Sequence, residues 1–273
     1  MKDYQQENQD ILDEWQDLSN KKKDKNVTFV QDGLMYRGAI FYKDNCWYRK
    51  KGNENFLWGN VFPRIMLLTK EFNDPEGNTD DIRHETCRKN FTGESNIITS
   101  NLQFHKNIMH HVYGLANYKN GKCPPYQELN LDTCRNFYET YPLVRINVKK
   151  QTGGCTIKND TISYYIKTYA NPLKKQIELF DADIIICYGR AIFNYIISTF
   201  FPDIKEEEND PWIYFSEKRQ KVIINSYHPS YYFYSIKNFY EYPIKEFETM
   251  MLSHRNFADK YNWVKIKFKE QLL

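Results

Sequence analysis

Four short apolar runs constrain the fold of this chain more than any other feature. They lie in FPRIMLLTK (residues 62–70), LVRINV (143–148), DIIIC (183–187) and KVIIN (221–225). Each run has the length of a strand and lacks the regular apolar–polar alternation of a strand with one solvent-exposed face. Nearly continuous apolar runs are typical of strands that are buried on both faces of a parallel sheet. The sequence therefore predicts a central parallel sheet of about four strands.

The segments between these runs have helical periodicity. We expect helices over about residues 100–118, 126–138, 161–179 and 190–200. Buried strands that alternate with helices favour right-handed crossover connections, with helices on both faces of the sheet. The predicted fold class is α/β, a three-layer α/β/α sandwich.

The first sixty residues have a different character. Residues 4–18 place Ile11, Leu12, Trp15 and Leu18 on one helical face. Alternating stretches over residues 27–58 are broken by QDG and KDN, which predicts a small β element with turns. We therefore divide the chain into an N-terminal helix and β appendage (1–60) and an α/β domain (61–273).

Composition excludes several classes of protein. No apolar stretch approaches the ~20 residues of a membrane span, and MKDYQQENQD has no secretory pattern. We expect a soluble, cytoplasmic monomer with no membrane partner. The six cysteines form no CxxC pair, which argues against a disulfide framework and a zinc site. A net charge of +3 is too small to indicate nucleic-acid binding by itself.

Polar residues follow each of the four predicted strands. Because ligands of α/β sheets bind beyond the carboxyl ends of the strands, chemistry is expected there. The segments are TKEFND, NVKK, YGR and NSYHPS. Together they supply carboxylates, an amide, an imidazole, a hydroxyl and cations. An amide that donates and accepts, beside aromatic rings, suits a planar base.

Three of these segments resemble the uracil-DNA glycosylase superfamily, most closely its iron-sulfur bacterial and archaeal branch. RINVKK is similar to the family's asparagine-bearing strand, DIIICYGRAIFNYII to its strand, glycine and helix, and SYHPSYYF to its histidine-proline-serine loop. Their order and spacing also agree, and the resemblance extends from about residue 62 to 234.

The resemblance implies a monofunctional DNA glycosylase that hydrolyses the bond between deoxyribose and a uracil-like, modified or mispaired pyrimidine. DNA would be the partner, and no cofactor or metal is expected. By the same resemblance Glu71 would activate water or stabilise the sugar cation, with Asp74 as a second carboxylate. His228 would donate a hydrogen bond to O2 of the departing base.

The resemblance also implies base-binding and DNA-binding residues. Asn147 would form hydrogen bonds with the pyrimidine edge, and Phe72 would stack on the base. Asn73 corresponds to the position at which a tyrosine excludes the methyl group of thymine in the uracil-specific branch, so the pocket would have room for a larger pyrimidine. The expected DNA contacts are a phosphate grip by Ser230, a wedge chosen from Tyr231, Tyr232 and Phe233, and the cations Lys149, Lys150 and Arg190.

The sequence departs from the family in two places. TKEFNDPEG has threonine and phenylalanine where the family has glycine and proline, and no close cysteine pair is present, so we expect no cluster. Glu71 could instead be an acid near a helix N-terminus. His228 could be a histidine of an ordinary turn, and Asn147 could be an amide that forms hydrogen bonds with the loop backbone. Two other functions therefore stay open: a non-catalytic binding module for modified bases or nucleotides, used in defence against foreign DNA, and a small-molecule hydrolase or transferase.

Overall fold

The computed structural model describes residues 2–22, 27–43, 46–74, 76–87, 103–154, 157–205 and 211–261, without the Cys46 side chain. The chain has a mixed α/β fold. Its strands are β1 (Gly33–Leu34), β2 (Ile40–Lys43), β3 (Cys46–Arg49), β4 (Ile65–Thr69), β5 (Leu143–Asn147), β6 (Ile184–Tyr188), β7 (Ile213–Ser216) and β8 (Lys221–Ser226). Its helices are α1 (Tyr4–Asn20), α2 (Glu54–Asn60), α3 (Gln103–Ala116), α4 (Leu131–Thr140), α5 (Asn159–Thr168), α6 (Ala170–Phe180), α7 (Arg190–Phe200) and α8 (Ile236–Ser253), followed by a helical segment over residues 255–261.

The central sheet has six strands in the order β1-β5-β4-β6-β8-β7. Strands β5, β4, β6 and β8 are mutually parallel, and they are the four apolar runs predicted from the sequence. Strand β1 pairs antiparallel with β5, and β7 pairs antiparallel with β8. The predicted count of about four strands omitted these two short edge strands, whose sequences carry no continuous apolar run. Strands β2 and β3 form a separate hairpin.

The parallel strands form the centre of the hydrophobic core. Every residue of β4, β5 and β6 is buried. A strand can be buried along its whole length only if both faces of the sheet are covered, which is the environment that continuous apolar runs predict. Helix α7 packs on β6 and β8, whereas α8 packs on β7.

Two predicted helices are divided in the structure. The helix expected over 161–179 is broken at Tyr169, where α5 ends and α6 begins. Pro172 lies in the first turn of α6, where its missing N–H is tolerated but would interrupt a longer helix. The helix expected over 126–138 becomes a short 3-10 turn (Tyr126–Glu128) and then α4, which is capped by the Asn130 side chain.

Residues 1–60 contribute to the same core as the rest of the chain. Helix α1 packs on α6, and its side chains Leu12 and Trp15 are buried in the main cluster. Strand β1 extends the central sheet. The boundary at residue 60 stays a prediction, and these contacts tie the N-terminal residues to the sheet.

No helix within the described ranges combines the length and the apolar character needed to span a lipid bilayer.

Candidate functional site

Three of the predicted site residues, Glu71, Lys149 and His228, lie at one edge of the sheet, beside Lys70 and Gly189. Lys70 and Glu71 follow β4, Lys149 lies just beyond β5, Gly189 follows β6 and His228 follows β8. The four strands are parallel neighbours in register, with Thr69 opposite Asn147 and Tyr188 opposite Ser226. Their carboxyl ends therefore form one continuous edge.

The loops after β4 and β5 continue to pair beyond the sheet. The Lys149 amide donates to the Lys70 carbonyl at 2.9 Å, and the Gly153 amide donates to the Phe72 carbonyl at 3.0 Å. The Asp74 amide donates back to the Gly153 carbonyl at 3.0 Å. These backbone hydrogen bonds hold the two loops as one unit around Glu71.

The carboxylate of Glu71 is fixed inside this unit. Its side chain is only 6% exposed and its Oε2 atom pairs with the ammonium group of Lys149. The same ammonium donates to the carbonyls of Gln151 at 2.9 Å and Thr152 at 3.2 Å. Gly153 lies directly against the carboxylate. The β5 loop therefore orients the Glu71 carboxylate and shields it from solvent.

His228 is held with a defined proton arrangement. The Ser230 amide donates to Nδ1 of His228 at 3.2 Å, so Nδ1 accepts and the ring proton resides on Nε2. Burial, together with the smaller effects of the nearby charges of Lys70 and Arg145, lowers the pKa of His228 to about 4. The ring is therefore neutral at neutral pH. Among the described residues, its Nε2–H has no hydrogen-bond partner.

Helix α3 holds the His228 loop from one side. Asn107 donates from Nδ2 to the Pro229 carbonyl at 2.7 Å, and Gln103 donates from Nε2 to the Tyr231 carbonyl at 2.8 Å. The Phe104 ring lies 5.6 Å from the His228 ring, centroid to centroid. Sequence reasoning missed these residues, because a helix start distant in the chain gives no local signal of contact with the loop.

Arg145 is a second residue that the sequence did not reveal. It is buried in the middle of β5 and pairs with Glu85 at 2.5 Å. Its guanidinium lies 5.2 Å from the Phe104 ring centroid and 6.0 Å from that of Phe72. An arginine between the apolar residues Val144 and Ile146 was the available signal. Its positive charge contributes to the low pKa of His228.

Asn147, the predicted base reader, lies in the interior. It is fully buried, and its Oδ1 atom accepts a hydrogen bond from Thr69 Oγ1 at 2.5 Å. Its Nδ2 atom is buried without a hydrogen-bond partner in the part of the chain that the structure describes. A buried N–H group without an acceptor is destabilising, so an acceptor that reaches this amide would be bound favourably. Its role in reading a base stays a prediction.

Lys149 and Lys150, expected to contact DNA, are both buried in ion pairs. Lys149 pairs with Glu71, as described above. Lys150 is 0% exposed and donates to the two carboxylate oxygens of Asp32 at 2.5 and 2.7 Å and to Gln176 at 3.0 Å. In this arrangement both lysines stabilise the β5 loop, and a contact of either one with DNA stays a prediction.

The remaining predicted residues have separate surroundings. Both carboxylate oxygens of Asp74 accept backbone amides, from Gly77 at 3.1 Å and Thr79 at 2.7 Å, so this carboxylate stabilises its own turn. Phe72 is half-buried and Asn73 is exposed. Arg190 begins α7, with its guanidinium 5.3 Å from the Phe193 ring centroid.

The aromatic residues after His228 divide into two groups. Tyr231 stacks on Tyr227 with centroids 4.5 Å apart. Tyr232 and Phe233 stack on each other at 4.3 Å and are 75% and 70% exposed. Ser230 is also exposed. The exposed pair therefore forms the tip of the loop, whereas Tyr231 belongs to the packed part.

No group of metal-ligating side chains is present among the described residues. The side chains of Cys87, Cys123, Cys134 and Cys187 are buried and form no disulfide in the described part of the chain. The Cys46 side chain and Cys155 lie outside the described residues, so the expected absence of a cluster stays a prediction.

Neither protein-family models nor curated proteins match this sequence.

Proposed function

We propose that this chain is a DNA glycosylase-like hydrolase that cleaves the N-glycosidic bond of a uracil-like, modified or mispaired pyrimidine in DNA. The observation that carries the proposal is the state of His228: a neutral imidazole at the strand ends, fixed through Nδ1, whose Nε2–H has no hydrogen-bond partner in the described part of the chain. When the base departs, negative charge develops on its O2 atom. One donor placed for that charge contributes about 3 kcal/mol to transition-state stabilisation.

Glu71 provides the second half of the reaction. As the base leaves, the sugar becomes positively charged, and a carboxylate beside it stabilises that charge and orients the attacking water. Lys149 holds Oε2 of Glu71, and Oε1 has no hydrogen-bond partner among the described residues. That oxygen is the one we assign to the water.

The exposed tip supports the choice of DNA as the substrate. Enzymes that act on a base within DNA turn it out of the helix, and an apolar side chain fills the space it leaves. Tyr232 and Phe233 extend from the same loop as His228. We assign them to the wedge and the exposed Ser230 to a phosphate contact.

We also infer the three-layer α/β/α arrangement. Helices α1, α5, α6 and α7 form one packed group, and α3, α4 and α8 form another. Two separate groups around a sheet whose central strands are wholly buried support a helical layer on each face.

The test is incubation with labelled oligonucleotides that carry uracil, thymine mismatches, or oxidised or hydroxymethylated pyrimidines, followed by alkaline cleavage at abasic sites. We expect release of at least one of these bases, and a strong loss of release in Glu71→Gln. DNA affinity should fall steeply as salt rises. Affinity that does not depend on salt, with turnover of free nucleosides, would instead indicate a small-molecule enzyme.

One observation favours a second candidate, a non-catalytic module that binds modified bases. Glu71 is neutralised by a buried lysine, and the residues around it are Thr69 and Phe72 in place of the family's glycine and proline. Salt-dependent DNA binding without release of any base would support that candidate.

A further inference from the structure

Within the described ranges, five cationic side chains lie in β5 or just beyond the carboxyl ends of β4, β5 and β6: Lys70, Arg145, Lys149, Lys150 and Arg190. Three are paired with a carboxylate: Arg145 with Glu85, Lys149 with Glu71 and Lys150 with Asp32. For Lys70, neither a hydrogen bond nor an ion pair is present within the described ranges. A partly buried cation without a partner is costly unless a ligand supplies the missing charge.

The side chain of Lys70 crosses the sheet edge toward His228. A Cβ atom added at Gly189 would lie 3.1 Å from Cε of Lys70. Because Gly189 follows β6, which lies between β4 and β8, the lysine stem runs over β6 in the direction of the β8 loop. After burial, the charge of Lys70 is the next largest cause of the low pKa of His228, in agreement with this direction of the stem.

The backbone at this crossing is suited to the lysine. Gly189 has φ +139, a conformation that residues with side chains rarely adopt. Gly189 also precedes α7, whose N-terminus adds partial positive charge at the same place. A cation, an imidazole N–H and a helix N-terminus thus face one region. Burial lowers the pKa of Lys70, and the negative charge of Glu71 raises it, so this carboxylate is the nearby counter-charge although it forms its ion pair with Lys149.

We propose that Lys70 is a second catalytic group in the reaction proposed above, whose ammonium shares with His228 the negative charge of the departing pyrimidine. The inference rests on the proposed function. In the reaction the C1′–N1 bond breaks and its electron pair goes to the base. Water adds its oxygen to C1′, and its proton passes to Glu71 and then to the base. A charged donor forms a hydrogen bond roughly twice as strong as a neutral one.

The first experiment compares leaving groups. Single-turnover release of uracil and of 5-fluorouracil from DNA is measured for Lys70→Met, Lys70→Arg and a control, Lys174→Met. Lys174 lies on α6, half-exposed in a pair with Glu178. Because the 5-fluorouracil anion is the more stable of the two, its release depends less on stabilisation of the negative charge by the protein. We expect Lys70→Met to slow uracil release about 10²-fold and 5-fluorouracil release much less, Lys70→Arg to recover part of the rate, and Lys174→Met to have no effect.

Equal slowing with both bases would overturn the proposal, because a lysine that only packs over Gly189 cannot distinguish leaving groups. Loss of DNA binding without a change in the chemical step would overturn it as well.

A second experiment does not depend on turnover. The protein is bound to an oligonucleotide with a tetrahydrofuran abasic analogue and titrated with uracil, which is neutral at pH 7, or with 5-nitrouracil, which is anionic. We expect wild type to bind the anion at least about tenfold tighter and Lys70→Met to lose that preference. A wild-type protein that binds both equally would refute the role of Lys70. A preference for the anion without release of any base would support charge recognition by Lys70 and overturn the proposed hydrolysis.

Discussion

The contact between Gly153 and Glu71 gives the sharpest test of the candidate site. In Gly153→Ala the new methyl carbon would lie 2.4 Å from the carboxylate carbon and both oxygens of Glu71, whereas ordinary contact begins at 3.4 Å. The difference, 3.4 − 2.4, requires the carboxylate to move by about 1 Å. Because the obstructed group is the end of a flexible side chain, the carboxylate should move and the backbone should remain.

The expected effect falls on the reaction rate. A displacement of about 1 Å at a reacting group can slow catalysis ~10²-fold, which corresponds to about 2.7 kcal/mol in the activation barrier. The free energy of unfolding should change by no more than about 1–2 kcal/mol, since only one ion pair is disturbed. The assay is single-turnover base release at saturating DNA, with urea unfolding of the same preparations.

Gly154→Ala is the matched control, because a Cβ atom there meets nothing within 4 Å. If Gly153→Ala and Gly154→Ala released base at the same rate, the position of the Glu71 carboxylate would not matter for the reaction. If Gly153→Ala instead unfolded at much lower urea, the methyl group would be displacing the loop backbone, and the premise of a local shift would be wrong.

Three further outcomes are expected. Lys150→Met should lower the free energy of unfolding by ~3–5 kcal/mol because it leaves the buried Asp32 carboxylate without its cation. In urea titrations, the double variant Asp32→Asn, Lys150→Met should recover part of this loss. If the losses of the two single variants instead add up in the double variant, the pairing is contradicted. Since the pKa of His228 is about 4, base release should show no inflection near pH 6.5, and a break there in the single-turnover profile would exclude the neutral donor. Burial also lowers the pKa of His111 to about 4, so the unfolded chain binds a proton before the folded chain does as the pH falls from 6.5 to 4. The free energy of unfolding should therefore decline by up to ~3 kcal/mol over that range. An equal decline in His111→Phe would refute this cause.

The sequence alone determined the central strands and the edge at which chemistry is sought. Runs such as 65–69 and 184–188 are apolar at consecutive positions, and only a strand covered on both faces buries them all. Because strands of this kind are parallel, their ends must share one edge, so the order of residues along the chain was enough to assign Glu71 and His228 to that edge. The break at Tyr169 and the edge strands β1 and β7 escaped prediction, since they depend on packing and on pairing with distant strands.

Only the tertiary structure decided which charges at that edge remain available. In the sequence, the same pattern of a basic residue after a strand occurs at Lys70, Lys149 and Lys150. In the structure, Lys149 and Lys150 are buried in ion pairs, whereas Lys70 has no ion pair with any described residue. The partner of Lys150, Asp32, lies 118 positions away, and the partner of Lys149 lies 78 positions away. Periodicity is a local property that a sequence displays directly, whereas the pairing of charges depends on where distant segments cross.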